Sequence, residues 1–471
     1  MISLYNTLSR TKEPLKPVHA DWVGLYTCGP TVYNFAHIGN LRTYIFEDIL
    51  ERTLRFDGYA VRRVMNVTDV GHLTGDGDAG DDKLDIAAQV QKKSVEEIAR
   101  FYTDAFFADL AKLNILKPDV IAPASAHVRE QIALVEILLE KGFAYDTPAA
   151  VYFDVRKFPS YGALSGQSLE EKMTGAREEV VVDREKRSPA DFALWFKLEG
   201  KFKKHLMHWP SPWGEGFPGW HVECSAIARH FLGQPFDIHT GGVDHIGTHH
   251  TNEIAQSEAA YDVPLAHLWV HGEHLLIGND KMAKSDGNFL TLAELEKKGY
   301  HPLTFRYLVL GAHYRTRLNF TWESLDGAKS GLERLYETIN DLYEGAEGPK
   351  KAKHGIEYYE KEFRAALDDD LNTPQALAIL HEMLADGNNK DETLALVKQY
   401  DTVLALGLER AMAATAGVEH DPAVAEMARK YAELRGSKQF VQSDALRKEI
   451  EGLGYSIRDT KDGSRIRKRF F

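Results

Sequence analysis

The chain has 471 residues, a formal net charge of −13 and only two cysteines. Its length predicts several domains, because single domains usually hold about 100–200 residues. The acidic balance argues against a protein that binds nucleic acid through bulk positive charge, although local basic patches are compatible with it. Two cysteines exclude a disulfide framework and favour a reducing compartment.

The sequence carries no signal for a membrane or for secretion. No apolar run approaches the roughly 18 residues that a membrane-spanning helix needs. Residues 1–5 lack a basic region followed by a hydrophobic stretch, so we expect no secretory leader. We therefore expect a cytoplasmic protein without membrane contact.

The first part of the chain predicts a parallel sheet. Residues 22–27 form a short apolar run with β character, residues 43–56 keep helical spacing, and residues 59–67 favour a second strand. A strand, a helix and a second strand form the unit of a parallel sheet, whose ligands bind at the carboxyl ends of its strands.

The middle of the chain is less regular. Residues 71–83 are rich in glycine and aspartate and predict a flexible acidic loop. A calcium-binding loop is a weak alternative, because the spacing of the glycine and of the terminal glutamate does not match that motif. Residues 120–205 favour an insertion, because turn residues and charged pairs accumulate around residues 172–187. Sheet character resumes near residues 236–239 and 268–271.

The last third predicts helices and a small basic end. Helical spacing begins at Thr321, and the threonine–proline pair at 373–374 is typical of a helix start. A helix at 443–450 and a strand at 454–458 follow. Residues 458–469 form a basic cluster on an acidic protein; its alternative is a solvated, disordered end.

Both cysteines lie near other potential metal ligands. Cys28 follows the first strand, and Cys224 follows the polar and aromatic run at 219–223. His249 and Glu253 are four residues apart and would project from one face of a helix. Two cysteines, a histidine and a carboxylate make a plausible zinc set. The alternatives are two small buried hydrophobic residues and a surface hydrogen bond.

Two further motifs suit phosphate chemistry. Residues 37–40 lie between the first strand and the first helix, where a helix N-terminus offers N–H groups and a positive dipole. Lys281 and Lys284 lie in a stretch of small residues that predicts a mobile cationic loop, able to neutralise charge on a reacting phosphorus. The alternatives are an ordinary turn and a surface charge run.

Six ordered motifs resemble those of the cysteinyl-tRNA synthetases. The similarity covers essentially the whole chain, including its opening residues 4–14 and the segment 368–374. The six motifs lie at residues 28–33, 37–40, 219–225, 241–244, 249–253 and 281–285.

The resemblance implies a zinc ion that selects the amino acid. One Zn²⁺ per chain would be held by Cys28, Cys224, His249 and Glu253 and would bind the thiolate of the substrate cysteine. A metal with affinity for sulfur distinguishes cysteine from serine far better than an apolar pocket does, which makes editing unnecessary.

The resemblance also implies the other contacts. L-Cysteine would meet Gly29, Thr68 and Trp220, although a core role is an equal alternative for Trp220. ATP would arrive with Mg²⁺. The implied ATP contacts are His37, Gly39, Asn40, Gly241, Asp244 and Lys284. The implied catalytic residues are His37, Asn40, Lys281 and Lys284.

The implied architecture is an α/β protein. It has a Rossmann-like parallel-sheet catalytic domain with an inserted connective-peptide domain, followed by an α-helical bundle and a small C-terminal α+β domain. We expect a monomer that activates cysteine and transfers it to tRNA(Cys). The expected ranges are 1–118 and 206–275 for the catalytic domain, 119–205 for the insertion, 276–320 for a linking region with the lysine loop, 321–415 for the bundle, and 420–471 for anticodon binding.

Four single positions and one inserted segment depart from the family pattern. Asn40 replaces a histidine and cannot become cationic, Ala283 replaces a serine, and Thr251 replaces a glutamate. Residues 71–80 are inserted beside the cysteine pocket. Ile466 stands where many members have tryptophan, which weakens the expectation that an aromatic ring stacks on an anticodon base there.

Two other functions compete with this interpretation. A cysteine ligase of the mycothiol pathway shares the zinc and phosphate motifs but attaches cysteine to an amino sugar, and it resembles the catalytic part alone. The roughly 150 residues after Phe320 favour tRNA as the acceptor. A catalytically silent paralogue that binds tRNA is disfavoured, because all four ligand positions and both lysines are intact.

Overall fold

The computed structural model describes most of the chain. It covers residues 1–74, 78, 80–167, 185–278, 280–281, 289–345, 352–413, 422–460 and 463–468. The chain divides into two compact units. The first unit holds residues 1–321 and 364–374, and the second holds residues 322–363 and 375–471.

A five-stranded parallel sheet forms the centre of the first unit, which confirms the predicted fold class. Its spatial order is β11-β10-β3-β4-β5. Because the chain runs outward in both directions from β3 and β10, the strand order reverses between them, and ligands bind at such a point. The strands are β3 (Val23–Thr27), β4 (Val61–Val67), β5 (Val120–Pro123), β10 (Phe236–Gly242) and β11 (Ala266–Gly272).

Helices pack around this sheet. The first begins five residues earlier than the spacing predicts, because His37 and Asn40 cap its N-terminus reciprocally. The helices of the first unit are α1 (Ile38–Phe56), α2 (Lys83–Gln91), α3 (Val95–Lys112), α4 (Val128–Glu140), α5 (Trp220–Leu232), α6 (His249–Tyr261), α7 (Leu292–Lys297) and α8 (Pro302–Leu310).

A four-stranded antiparallel sheet forms the insertion. It consists of β6 (Ala144–Asp146), β7 (Ala150–Phe153), β8 (Phe192–Lys197) and β9 (Gly216–Pro218). Its strands lie between residues 144 and 218, and the expected range of the inserted domain, 119–205, stays a prediction. Residues 120–123 pair with β4 in the parallel sheet, and β9 lies beyond residue 205. Both strands have only three or four residues and contain proline, so their sequences resemble turns.

Smaller pairings complete the first unit. Strands β1 (Ser3–Asn6) and β2 (Thr11–Pro14) form a hairpin. Strand β12 (Leu275–Ile277) pairs with both β13 (Asp280–Lys281) and β14 (Leu318–Phe320). It therefore connects the start of the lysine loop to the last residues before the second unit.

The second unit is mainly helical, as predicted. Its helices are α9 (Trp322–Glu344), α10 (Ile356–Asp368), α11 (Thr373–Ala385), α12 (Lys390–Leu404), α13 (Glu409–Ala413), α14 (Pro422–Gly436) and α15 (Phe440–Gly452); α10 and α11 each cross between the two units. A hairpin of β15 (Tyr455–Thr460) and β16 (Gly463–Lys468) follows. None of the described helices combines the length and apolarity needed to cross a bilayer.

Candidate active site

A cleft of about 320 Å³ opens at the carboxyl ends of β3 and β10, where the strand order reverses. Such a crevice is the expected ligand site of an open parallel sheet. Most of the residues predicted for the site lie in its wall. These are Cys28, Gly29, His37, Asn40, Thr68, Trp220, Cys224, Gly241, Asp244 and His249.

Four predicted metal ligands meet on the inner side of this cleft. Cys28 follows β3, Cys224 lies in the second turn of α5, and His249 and Glu253 share one face of α6. One donor atom from each lies within 4.8 Å of the others, and all four residues are buried. Two sulfur atoms, one nitrogen and one oxygen are a donor set that zinc accepts.

Glu253 is held as a carboxylate. Its Oε2 contacts Nε2 of His239 at 3.1 Å, while its Oε1 is buried without a hydrogen-bond partner among the described residues. His249 Nε2 lies 3.1 Å from that Oε1. Although burial opposes ionisation, His239 and His249 lower the pKa of Glu253 to about 2. An ionised, buried and incompletely bonded carboxylate oxygen fits a cation ligand.

The two thiols differ in their electrostatics. Burial and the neighbouring Cys224 raise the pKa of Cys28. Burial also opposes ionisation of Cys224, but a hydrogen bond from Cys28 and the charge of His249 lower the pKa of Cys224 to about 6. A thiolate is the form of cysteine that binds metals, so the cluster is poised to accept a positive ion.

A second donor set overlaps the first. Cys28 and Glu253 also lie within 4.8 Å of ring nitrogens of His239 and His250. His250 contacts Cys28 Sγ at 3.3 Å through Nε2 and His271 Nε2 at 2.7 Å through Nδ1. These two histidines lie behind the cleft wall and orient its ligands, as outer partners of metal sites do. Of the two donor sets, the one with Cys28, Cys224 and His249 has three residues in the cleft wall, so a metal held there would be accessible to a substrate.

His37 and Asn40 form a reciprocal cap at the start of α1. Nδ1 of His37 accepts from the backbone N–H of Asn40 at 3.1 Å, and Oδ1 of Asn40 accepts from the backbone N–H of His37 at 3.2 Å. Burial lowers the pKa of His37, which favours the neutral ring. Its proton then lies on Nε2, so that atom is a donor. Gly39 lies in the first turn of the same helix.

Gly29 is required by close packing. A Cβ atom there would lie 1.7 Å from the carbonyl oxygen of Asn66, and its N–H donates to Asn66 Oδ1 at 2.8 Å. Beside it, the hydroxyl of Thr68 donates to Glu223, which also accepts from Asn66 Nδ2 at 3.4 Å. These bonds join the ends of β3 and β4 to α5 and fix the pocket beside the two cysteines.

Trp220 lies between two histidine rings. It stacks on His72 with centroids 4.2 Å apart and on His249 with centroids 4.4 Å apart. His72 contacts Thr31 Oγ1 at 2.6 Å and Lys83 Nζ at 2.8 Å. Trp220 is half-buried and lines the cleft, unlike a core aromatic residue.

His72 was not among the predicted site residues, and it lies in the segment predicted as a flexible acidic loop. The described part of that segment is tied down. A Cβ at Gly71 would lie 2.3 Å from the carbonyl oxygen of Pro218, and Asp78 Oδ2 accepts from Lys186 and from the backbone of Ala193, both at 2.8 Å. A lone histidine among glycines and aspartates was the available signal.

Gly241 and Gly242 end β10 and keep its carboxyl end open. A Cβ at Gly241 would lie 2.6 Å from the ring of His245, and one at Gly242 would lie 2.3 Å from Oδ1 of Asp244. Burial lowers the pKa of His245 to about 4, so this ring is neutral. The close packing fixes the position of Asp244 at the cleft.

The lysine loop is described only at its ends. Lys281 pairs with Leu276 through the backbone, whereas Lys284 lies outside the described residues. On the far side, Phe289 lines the cleft and the backbone N–H of Ile38 donates to the carbonyl of Leu290 at 2.9 Å. The described residues after the loop therefore lie beside the start of α1.

Ile466 occupies a small apolar cluster in the C-terminal hairpin. It pairs with Ile457 across β15 and β16 and packs against Tyr431 and Ile450. Arg458 is in register with Arg465 on the opposite strand. Ile466 thus contributes to packing within this region.

Comparison with known proteins identifies the family. Residues 14–330 match the class I (C) tRNA synthetase catalytic domain, and residues 362–418 match the DALR domain. The chain is 44% identical over 467 residues to cysteine–tRNA ligase 1 of Burkholderia lata, covering 99% of this chain and 96% of that protein. It is 40% identical over 483 residues to cysteine–tRNA ligase of Treponema denticola, covering 97% and 98%.

Solved structures share the fold at low identity. Mycobacterium tuberculosis methionyl-tRNA synthetase in complex with methionyl-adenylate matches with a TM-score of 0.56 and 15% identity, covering 83% of this chain and 90% of that chain. This likeness supports the class I architecture alone. From the sequence relatives and the domain matches, the chain belongs to the cysteine–tRNA ligase family of class I tRNA synthetases and is a ligase.

Proposed function

We propose that this chain activates L-cysteine with ATP and transfers it to tRNA(Cys). The observation that carries the proposal is the buried cluster of two cysteines, one histidine and one glutamate, three of which line the cleft. Those ligand types suit a substrate that itself offers a thiolate. The substrate class in the names of the relatives agrees with this chemistry.

The metal proposed for this cluster is zinc. Zinc, held by Cys28, Cys224, His249 and Glu253, would supply a Lewis acid that prefers a thiolate to a hydroxyl. The protein's own part is orientation. Trp220 stacks on His249, and His239 holds the other oxygen of Glu253, so each ligand is fixed from behind.

The pocket next to the cluster is proposed to receive the rest of the amino acid. Gly29 leaves space beside β4, and Thr68 closes the wall through its bond to Glu223. Trp220 forms an aromatic side of the pocket, where it excludes water from the substrate thiolate. Serine has the same size but offers only a hydroxyl, so size alone could not reject it.

ATP is proposed to bind across the start of α1. The neutral His37 ring donates from Nε2, Asn40 donates from its side-chain amide, and the helix end at Gly39 adds N–H groups and a positive dipole. Gly241 and Asp244 would face the adenosine. Mg²⁺ would accompany the phosphates.

Lys281 and Lys284 are proposed to act on the transition state. The carboxylate of cysteine attacks the α-phosphorus of ATP and pyrophosphate leaves, so negative charge builds on the phosphate oxygens. Two ammonium groups next to that charge lower the barrier more than they strengthen the binding of the substrates. The acyl group of the adenylate then passes to the terminal ribose of tRNA.

The acceptor follows from the second unit. A cysteine ligase that modifies an amino sugar would need only the catalytic part. This chain also carries a DALR domain, and its match to a cysteine–tRNA ligase extends over 99% of its residues. We propose that residues 321–415 brace the tRNA and that residues 420–471 bind its anticodon. We also propose that the enzyme is monomeric and cytoplasmic.

Charging total tRNA with labelled cysteine tests this function. We expect cysteine-dependent ATP–pyrophosphate exchange and formation of labelled cysteinyl-tRNA. Exchange without charging would favour the amino-sugar ligase, and absence of both would favour a silent paralogue. Cys224→Ser is the matched control, because it changes one sulfur atom of the cluster to oxygen.

A further inference from the structure

A second cluster of metal-binding side chains lies outside the cleft wall. Oδ2 of Asp82, Oδ2 of Asp85 and Nε2 of His205 lie within 4.8 Å of one another. His205 Nε2 is 3.4 Å from the Asp82 oxygen and 4.0 Å from the Asp85 oxygen. Nitrogen and oxygen ligands bound at about 2.0–2.2 Å around one ion stand about 3–4 Å apart, so a cation fits between these atoms.

The histidine is oriented as a ligand. Its Nδ1 contacts the carbonyl oxygen of Met207 at 2.7 Å, and a carbonyl can only accept, so Nδ1 carries a proton. Nε2 is buried and has no hydrogen-bond partner among the described residues. In the neutral ring this atom presents a lone pair. A metal-bound histidine usually has this arrangement, with its other nitrogen bonded to a carbonyl or carboxylate.

The two carboxylates are fixed by the backbone. Asp82 caps α2, where its Oδ1 accepts from Leu84 at 2.7 Å and its Oδ2 accepts from Gly71 at 3.0 Å. Asp85 accepts from the backbone N–H of Leu206 at 3.3 Å. The ring of His205 stacks on Phe217 with centroids 3.7 Å apart, which fixes its plane. All three donors are therefore held without a flexible side chain among them.

Burial makes the charge of this cluster costly. The side chains of His205, Asp82 and Asp85 are 3%, 2% and 14% exposed. Two carboxylates facing a neutral imidazole leave two buried negative charges without a compensating cation in the triad. A divalent cation would balance both, and it would bind the lone pair of His205 at the same time.

We propose that Asp82, Asp85 and His205 bind a second divalent metal ion of the zinc class, separate from the cleft cluster. One imidazole and two carboxylates suit zinc, manganese or iron rather than calcium or magnesium. The ion would join the start of α2 to the segment before β9. It would thereby fasten Gly71, which precedes His72 at the wall of the cleft. This site goes beyond the proposed function and does not depend on it.

A proton is the competing occupant. Burial opposes protonation of His205, but Asp82 and Asp85 together outweigh it and raise the pKa of His205, so an imidazolium could balance part of the same charge. The two occupants make different predictions for metal content. A metal gives a second bound ion that His205 and Asp85 control, whereas a proton gives none.

Zinc binding to the full chain separates these outcomes. The protein is dialysed against zinc chloride, freed of loose ions on a desalting column, and analysed for zinc by mass spectrometry. We expect about two zinc ions per chain in the unmodified protein and about one in His205→Gln, with affinity at the second site reduced at least about 10–100-fold. His208→Gln is the matched control, because this nearby histidine is more exposed and should leave the content at about two.

Two additional variants make the test specific. Cys224→Ser should remove the cleft ion and retain the second, so failure of one site is distinguished from failure of the other. Asp85→Asn repeats the loss of the second ion at a less buried ligand, with circular dichroism as the check on folding. The proposal is overturned if the unmodified chain holds no zinc beyond the ion that Cys224→Ser removes. It is also overturned if His205→Gln and Asp85→Asn both leave the zinc content unchanged.

Discussion

The cleft of the first unit and the C-terminal region of residues 422–468 belong to one chain but are built differently. Behind the wall of the cleft, buried polar groups hold one another: Glu253 contacts His239, and His250 contacts both Cys28 and His271. The C-terminal region instead has a small apolar centre around Tyr431, Ile450 and Ile457. Chemistry on a small substrate needs fixed donors, whereas binding a polyanion needs surface charge on a stable support.

From this difference we predict that mutations in the two regions affect two different steps. Changes in the cleft should alter the activation of cysteine. Changes in the C-terminal region should alter the use of tRNA and leave activation intact.

The largest effect is expected for Lys284→Ala. Removing a cation that acts on developing charge should lower the rate of cysteine-dependent ATP–pyrophosphate exchange about 10²–10³-fold, with little change in KM for cysteine. Lys297→Ala, at an exposed position in the last turn of α7, is the control. A variant that turns over normally but binds cysteine weakly would contradict the assigned role.

Deletion of residues 422–471 should affect only the second step. Aminoacylation should fall at least about tenfold through weaker tRNA binding, because phosphate contacts supply affinity that depends on salt. Exchange of ATP and pyrophosphate should persist, since the proposed ATP and metal contacts all precede residue 289.

A milder version of this experiment avoids truncation. Arg465→Gln combined with Arg467→Gln removes two charges from β16. We expect a shallower dependence of tRNA binding on salt, with unchanged exchange activity. Lys117→Gln, an exposed change in the first unit, is the control.

For the deletion of residues 422–471, equal charging of tRNA by the truncated and the full chain at physiological salt would exclude an anticodon-binding role for this region.

His72→Ala should have a moderate effect confined to cysteine. Loss of the stacked ring lets Trp220 move, and aromatic pairs contribute about 0.5–1.5 kcal/mol, so KM for cysteine should rise about 2–10-fold. The stack of His19 on Trp22, with centroids 4.1 Å apart, offers a matched control outside the cleft wall. If His19→Ala raised KM for cysteine as much as His72→Ala does, the effect of His72→Ala would come from a general loss of protein stability and not from the position of Trp220.

The smallest effect is expected for Ile466→Ala. Because this half-buried side chain packs in the C-terminal cluster, its removal should cost about 1–2 kcal/mol of the free energy of unfolding of that region. KM for cysteine should not change. Val441→Ala, at a side chain that is 86% exposed, should cost almost nothing. Thermal unfolding followed by circular dichroism measures both.

The parallel sheet and the helical second unit were predictable because their signals are local. Apolar runs such as residues 22–27 become buried strands, and helical spacing after Thr321 becomes α9. The strands β5 and β9 were not predicted, since they are too short for their sequences to show alternation. Their strand character comes from pairing with distant partners.

The candidate site was partly predictable. Motifs indicated Cys28, Cys224, His249 and Glu253, and the structure brings all four together. The stack of His72 on Trp220 could not be predicted, because it depends on how residues 71–74 pack against the insertion. Likewise, asparagine in place of histidine at position 40 did not predict that Asn40 and His37 cap the start of α1 together.

Selection of cysteine is proposed to depend on binding of the substrate thiolate to the metal. The most direct measurement is the absorption spectrum of the full chain with cobalt in place of zinc, titrated with cysteine and with serine. Cobalt–thiolate charge transfer reports each sulfur ligand, so we predict that cysteine increases this absorption and serine does not. Cys224→Ser should weaken the initial band. A spectrum that cysteine and serine leave equally unchanged would contradict the account.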